Sequence, residues 1–309
     1  MREARNMRPV VAEVLAELGA QLDDLVMVTA DARALSERFE RRHPARAIDV
    51  GIAEANLVGV AAGLARGTRR VVVAAMAPFL LRRAAEQIRL DVCRPGLDVT
   101  LIGVGGGLSY GSLGATHHVT EDLAAMSTMP GIRVYCPADV HDAAWAVRDA
   151  VLGRGPAYVR LGAREDQLVY EEHDDFSAER PRLFGGPAPV LIVTTGPTVA
   201  EAIEAMAAGA PAQVLAMTTV TPFPTRAILE LACAARAVLV VEDQLAVGGL
   251  ASRVASVLAG SWQGQFAALN VDDRPAPPRD RDGLFQFYGI DAAAIARKAR
   301  ELAFRPERA

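Results

Sequence analysis

Lysine is almost absent: Lys298 is the only one, and the other basic residues are arginine and five histidines. This argues against a mechanism through a lysine Schiff base, because Lys298 falls in a charged C-terminal helical pattern. Cysteine is scarce too. Cys93, Cys136 and Cys233 stand apart, with neither metal spacing nor a disulfide framework, which suits a reducing cytoplasm. No excess of positive charge exists: the net charge is -4, so nucleic acid is a poor partner. No long apolar run exists either. "VVVAAMAPFLL", Val71 to Leu81, is too short to span a bilayer. The N-terminal "MREARNMRPVVAEVLAELG" carries acids inside an amphipathic pattern and does not read as a signal peptide.

What is present is a core-forming composition. Hydrophobic residues make up 51% and charged residues 23% of 309, enough for two domains. Short β-branched runs at 25–30, 69–76, 98–104, 132–137 and 157–162 alternate with helical patterns at 9–20, 53–66, 80–92, 120–128 and 140–152. Asp139 and Gly153 read as the caps of the last helix. Continuously apolar strands between helices predict a parallel sheet covered on both faces. From Ala163 to Pro189 the chain turns polar, acidic and Pro/Gly-punctuated. The pattern then restarts: strands at 190–196, 212–217, 237–243 and 266–271, with helices from Thr198, at 224–235 and at 248–259. "TVAE" from Thr198 reads as a capping box closed by Glu201. The fold class is α/β in two domains, 1–170 and 189–309, joined by a linker over 171–188.

Three segments carry possible chemistry. In "DVGIAEANLVGVAAGLA", Asp49 to Ala65, Glu54 has only Val50, Gly51, Leu57 and Val58 at helical spacing. It either complements the helix dipole or is an acid kept in an apolar place to share a proton with a ligand. "GVGGGLSYGSLGATHH", Gly103 to His118, is neither a Walker loop nor a dinucleotide fingerprint. Its glycines let the backbone pass close to something large or turn sharply. The adjacent His117 and His118 lack metal spacing on one helical face, and a catalytic hydrogen bond from one of them is the sharper reading. Thr120 or Glu121 caps the helix that follows. In "APFLLRRAAEQIRLDVC", Glu86 is spaced to pair with Arg82. Arg160 ends "AYVRLG", where parallel strands deliver ligand-binding residues.

Taken in series, "DVGIAEANLVGVAAGLA", "APFLLRRAAEQIRLDV", "GATHHVTEDLAAM…PGIRVYCPAD", "PAYVRLG" and "VEDQLAVGGLAS" resemble the transketolase family of thiamine diphosphate enzymes. The resemblance implies a pyrimidine-binding domain followed by the family's C-terminal domain. A full-length member also carries a domain that binds the diphosphate through a metal, usually Mg²⁺, with a Gly-Asp-Gly segment and an asparagine; no Gly-Asp-Gly occurs here. The chain therefore resembles the C-terminal subunit of a split transketolase. The implied partner is an N-terminal subunit holding most of the thiamine diphosphate and its Mg²⁺, in a dimer of heterodimers (α2β2). No metal ligand is expected in this chain.

The resemblance also gives residues their roles. Glu54 would bond the aminopyrimidine nitrogen and promote the imino tautomer that deprotonates the thiazolium, whose carbanion attacks the donor carbonyl. An apolar setting would favour the protonated acid. His117 would assist proton transfer near the reacting carbonyl. Phe79 or Leu80 would pack on the pyrimidine, and Ile52 and Arg83 also fall among cofactor-binding positions. Arg160 would hold the phosphate end of sugar substrates. His118, Leu113 and Asp31 fall among substrate positions. Sugar-using members carry aspartate at the place of Leu113 and a histidine at a place that falls on Gly105. Both changes remove partners for a polyol, so the donor is a ketose phosphate, an unusual ketose or a 2-oxo acid. The competing readings are a 2-oxo acid dehydrogenase β-subunit, a synthase like deoxyxylulose phosphate synthase, and a scaffold subunit without chemistry.

Overall fold

The computed structural model describes residues 3–274 and 276–304. The first part of the chain runs β1 (Ala4–Asn6), α1 (Met7–Gln21), β2 (Leu25–Thr29), α2 (Arg33–Arg42), β3 (Ala47–Asp49), α3 (Glu54–Arg66), β4 (Arg70–Met76) and α4 (Ala77–Gln87). It continues through β5 (Val99–Val104), α5 (Asp122–Ser127), β6 (Arg133–Tyr135), α6 (Val140–Leu152), β7 (Ala157–Leu161) and β8 (Glu165–Gln167). The second part is β9 (Arg182–Phe184), β10 (Val190–Thr194), α7 (Thr198–Ala207), β11 (Ala212–Ala216), β12 (Thr219–Thr221), α8 (Thr225–Cys233) and β13 (Ala237–Leu245). It ends with α9 (Leu250–Leu258), β14 (Gln265–Val271), α10 (Arg281–Tyr288) and α11 (Ala292–Phe304).

Two parallel sheets organise these elements. The first has seven strands in the order β12-β6-β7-β5-β4-β2-β3, with only β12 antiparallel. The second has the order β14-β13-β10-β11-β9, with only β9 antiparallel. Central strands are buried along their whole length, as "VTLIGV" and "VLIVT" are, because helices cover both faces. Each sheet has an apolar cluster on either side; Leu57, Val73 and Leu101 lie on one face of the first, Leu15, Val72 and Ile102 on the other.

Two local expectations change, and one unexpected pairing appears. Residues 171–188 are more than a linker: β9 adds to the exposed edge of β11 and satisfies its free backbone groups. β12 does the reverse, leaving the second part of the chain to cover the edge of β6. Glu201 does not close a capping box. The Thr198 hydroxyl donates to the Thr195 carbonyl at 2.9 Å, and Glu201 instead accepts from the Ala292 amide at 2.8 Å, capping α11. Asp139 does cap α6, accepting from His141 and Asp142 at 3.0 Å.

Buried carboxyls give the fold a pH dependence. Both Glu242 oxygens accept backbone amides at the start of α9, from Leu250 at 2.5 Å and Ala251 at 2.9 Å. Burial nevertheless pushes its carboxyl up from 4.5 to about 8. Burial likewise raises Asp142 to about 7, although it accepts from Ala138 and Thr218. A carboxyl raised on folding binds protons more tightly in the folded state. Its stabilising contribution is complete below the unfolded value of 4.5 for Glu242 and is lost as pH rises through about 8. The urea midpoint is expected to fall as pH rises across that window, and Glu242→Gln to flatten the slope. A midpoint that rises with pH there would contradict this assignment.

Candidate active site

The C-terminal ends of the parallel strands in the first sheet form one edge. β3 leads into α3, β4 runs straight into α4, and β5 opens the glycine-rich loop. Glu54 is the first residue of α3, with no side-chain cap before it, so its charge faces the helix amides. It is 4% exposed. The expectation of an acid without a partner is corrected here. Arg83 of α4 donates from Nη1 to Oε2 at 3.0 Å and to Oε1 at 3.3 Å. Arg83 is itself half-exposed, so the pair reaches the surface and is not enclosed in the core.

From this pair the contacts run on without a gap. The Arg83 guanidinium lies 4.3 Å from the Phe79 ring centre, a cation–π contact. Phe79 meets His117 edge-on at 5.4 Å, and His117 meets Tyr110 at 5.9 Å. His117 Nδ1 is 2.9 Å from the Thr116 hydroxyl, which fixes the ring and leaves Nε2 for other work. Glu54, Arg83, Phe79 and His117 thus form one row of side chains drawn from the start of α3, from α4 and from the glycine-rich loop. Such a row fits a flat heteroaromatic: a carboxylate for a ring nitrogen, and an aromatic face for the ring itself.

Of the other expected site residues, His118 lines the same cleft as Phe79. Leu80 is fully buried in the core cluster under α4, so of the two expected residues only Phe79 lines the cleft. Leu113 and Ile52 are 51% and 69% exposed. His118 places Nε2 3.1 Å from the Gly111 carbonyl oxygen, a structural contact. Asp31 is exposed at the end of β2, in the left-handed region at φ 53. Arg82 does not pair with Glu86; it reaches Glu121 at 2.5 Å across the loop.

Arg160 is the largest correction. It is 3% exposed and donates to both oxygens of Asp243, at 2.9 and 2.6 Å, with Asp122 at 3.5 Å. Asp122 also accepts from Tyr158 at 2.8 Å and Gln244 at 3.2 Å. Burial pushes the Asp122 carboxyl up, against the pull of Arg160. The guanidinium is consumed by a buried junction between the two parts of the chain and has no donor left facing a substrate phosphate. This junction also explains the glycines. A Cβ on Gly106 would overlap Arg160, and one on Gly107 would overlap both Arg160 and Asp243. The large neighbour that those two glycines accommodate is an ion pair.

Asp243, Asp122 and Tyr110 are site or support residues that sequence reasoning passed over, although each lies in a segment singled out for other reasons. A cleft of about 500 Å³ opens beside the row, between Phe79, Arg82, Thr116 and Glu121 on one side and Arg274 and Tyr288 on the other. Among the described residues no group of three His, Cys, Asp or Glu side chains could hold a metal, and no helix is long and apolar enough to cross a membrane.

Comparison with known proteins gives the same division. Residues 3–165 match the transketolase pyrimidine-binding domain and residues 187–295 the transketolase C-terminal domain. The chain is 34% identical to the 6-deoxy-6-sulfo-D-fructose transketolase subunit SqwH of Clostridium sp. (strain MSTE9), over 98% of this chain and 96% of that one. It is 32% identical to an apulose-4-phosphate transketolase subunit of Phocaeicola vulgatus, over 96% and 98%. A solved structure described as a split gene transketolase, inactive beta4 tetramer, superposes with a TM-score of 0.86 at 29% identity, covering 97% of this chain and 99% of that one. Matched along almost its whole length, in both sheets and in the same order, this chain belongs to the transketolase family.

Proposed function

We propose that this chain is the C-terminal subunit of a two-component, thiamine diphosphate-dependent transketolase. It moves a two-carbon ketol or acyl unit from a ketose phosphate or 2-oxo acid donor to an aldehyde-type acceptor. The row Glu54–Arg83–Phe79–His117 carries the reading, because those four side chains suit one heteroaromatic ring and one reacting carbonyl. When bound, thiamine diphosphate supplies the carbon nucleophile for the donor carbonyl. Glu54 holds a proton at the pyrimidine nitrogen, and Arg83 balances its charge when that proton moves away. Phe79 packs on the ring. His117 moves protons to and from the donor and acceptor oxygens. In ketol transfer, the bond between the donor carbonyl carbon and its carbinol neighbour breaks and the remainder leaves as an aldehyde. A new carbon–carbon bond then forms to the acceptor aldehyde, without net oxidation.

The diphosphate and its Mg²⁺ are assigned to a partner subunit with a Gly-Asp-Gly segment, in an α2β2 assembly in the cytoplasm. The relative solved as an inactive tetramer of its β chains, and the names of the other two relatives as transketolase subunits, support the two-component reading. The test is reconstitution. This chain alone with thiamine diphosphate and Mg²⁺ is expected to turn over no ketose, and to become active only with the partner. Turnover by the isolated chain would sink the proposal.

A further inference from the structure

One guanidinium occupies both features that the proposed site offers to a ring. Arg83 Nη1 donates to Glu54 Oε2 at 3.0 Å and to Oε1 at 3.3 Å. The carbon of the same guanidinium lies 4.3 Å from the Phe79 ring centre. The face of Phe79 turned toward Glu54 is therefore the face that Arg83 covers. A guanidinium is flat, delocalised and rich in N–H donors, so it suits a carboxylate and an aromatic face at once, as a protonated heteroaromatic does. Of the three side chains, Arg83 is the one free to move. Glu54 opens a helix and is 4% exposed, whereas the Arg83 side chain is 51% exposed. A second acid stands one turn further along α4. Glu86 is exposed, lies three residues after Arg83 on the same helical face, and has no ion pair or hydrogen bond among the described residues. Arg82, the other arginine at helical spacing from it, is held by Glu121 at 2.5 Å.

We propose that Arg83 competes with the aminopyrimidine for Phe79 and gates its entry: the guanidinium lies in the place assigned to the ring and has to slide off Phe79 for the ring to bind. The inference rests on the roles of Glu54 and Phe79 proposed above. A ring that bonds Glu54 and also packs on Phe79 has to lie between them, and that is where the guanidinium lies. The two cannot share the space. Glu54 has two oxygens, however, and the longer of its two bonds to Arg83, the one at Oε1, is the one given up. Arg83 keeps Oε2, from which it still balances the carboxylate, and takes Glu86 as its second partner. The residue thus opposes entry of the cofactor, although it belongs to the site that receives it. A side chain that merely supported the site would act in the other direction, and its removal would weaken binding.

The experiment measures the dissociation constant of thiamine diphosphate by titration calorimetry, on the chain assembled with its partner in the presence of Mg²⁺. Arg83→Ala is expected to bind the cofactor about three- to tenfold tighter than the native assembly, the factor recovered when a competing cation–π contact and exposed ion pair no longer have to be displaced. Arg83→Lys keeps a cation for Glu54 but cannot lie flat on the ring. It is expected to bind tighter by a smaller factor, and it serves if the alanine variant fails to assemble. Unchanged or weaker binding in either variant that assembles overturns this inference and leaves the transferase reading in place. A native assembly that binds no thiamine diphosphate overturns the transferase reading and this inference with it.

Discussion

Replacing Glu54 by glutamine in the assembled enzyme lowers turnover by about 10²–10⁴-fold, the range lost when a positioned proton-transfer group is removed. Glutamine keeps the shape of the side chain and its bond to Arg83. It cannot take up or release a proton. The loss belongs in kcat, because the proton is needed to generate the nucleophile and not to hold the donor. Stability should barely move. The ion pair that is weakened has a half-exposed partner, and pairs of that kind contribute about 0–1 kcal/mol. A variant that folds, assembles and binds cofactor but is slow is therefore the expected outcome. Unchanged turnover would make the chain a scaffold and remove Glu54 from the mechanism.

Arg160→Met has the opposite signature. Asp122 and Asp243 are 0% and 1% exposed in their side chains, and Arg160 is the cation between them. Removing it leaves buried carboxylates uncompensated, which costs about 3–5 kcal/mol in comparable pairs. The thermal midpoint is expected to fall by roughly 10 °C, from a shift of about 2–4 °C per kcal/mol for domains of 150–250 residues. Asp243→Asn, which leaves Asp122 to balance Arg160, should cost less. A normal midpoint with a raised KM for phosphorylated donors would return Arg160 to the substrate site. The same residue type at the end of a parallel strand serves either role, so only its partners decide.

The two parallel sheets were readable from apolar runs, because a strand covered on both faces must be apolar throughout. β10, β11 and β13 appear where "VLIVT", "AQVLA" and "AVLVVED" stand. The short edge strands β1, β3, β8, β9 and β12 were not readable. Three residues at a sheet edge carry no periodicity, and their pairing depends on which edge is left open. The same limit governs the site. Glu54, Phe79 and His117 stand out locally, as an acid in an apolar helix start, an aromatic at a strand–helix junction and a histidine after a glycine-rich loop.

The amino-acid order alone determined the architecture, the family resemblance and the side chains that could do proton transfer. Each of these depends on neighbours within a few residues. Tertiary structure alone decided what those side chains meet. Arg83 reaches Glu54 across 29 residues, and Asp243 reaches Arg160 across 83. Such partners are chosen by the tertiary arrangement, which places β4 beside β2 and β5 and brings Asp243 of β13 to Arg160 of β7. A local pattern records a helix start or a buried strand, but the cation that satisfies a buried acid comes from whichever chain segment the sheets place next to it.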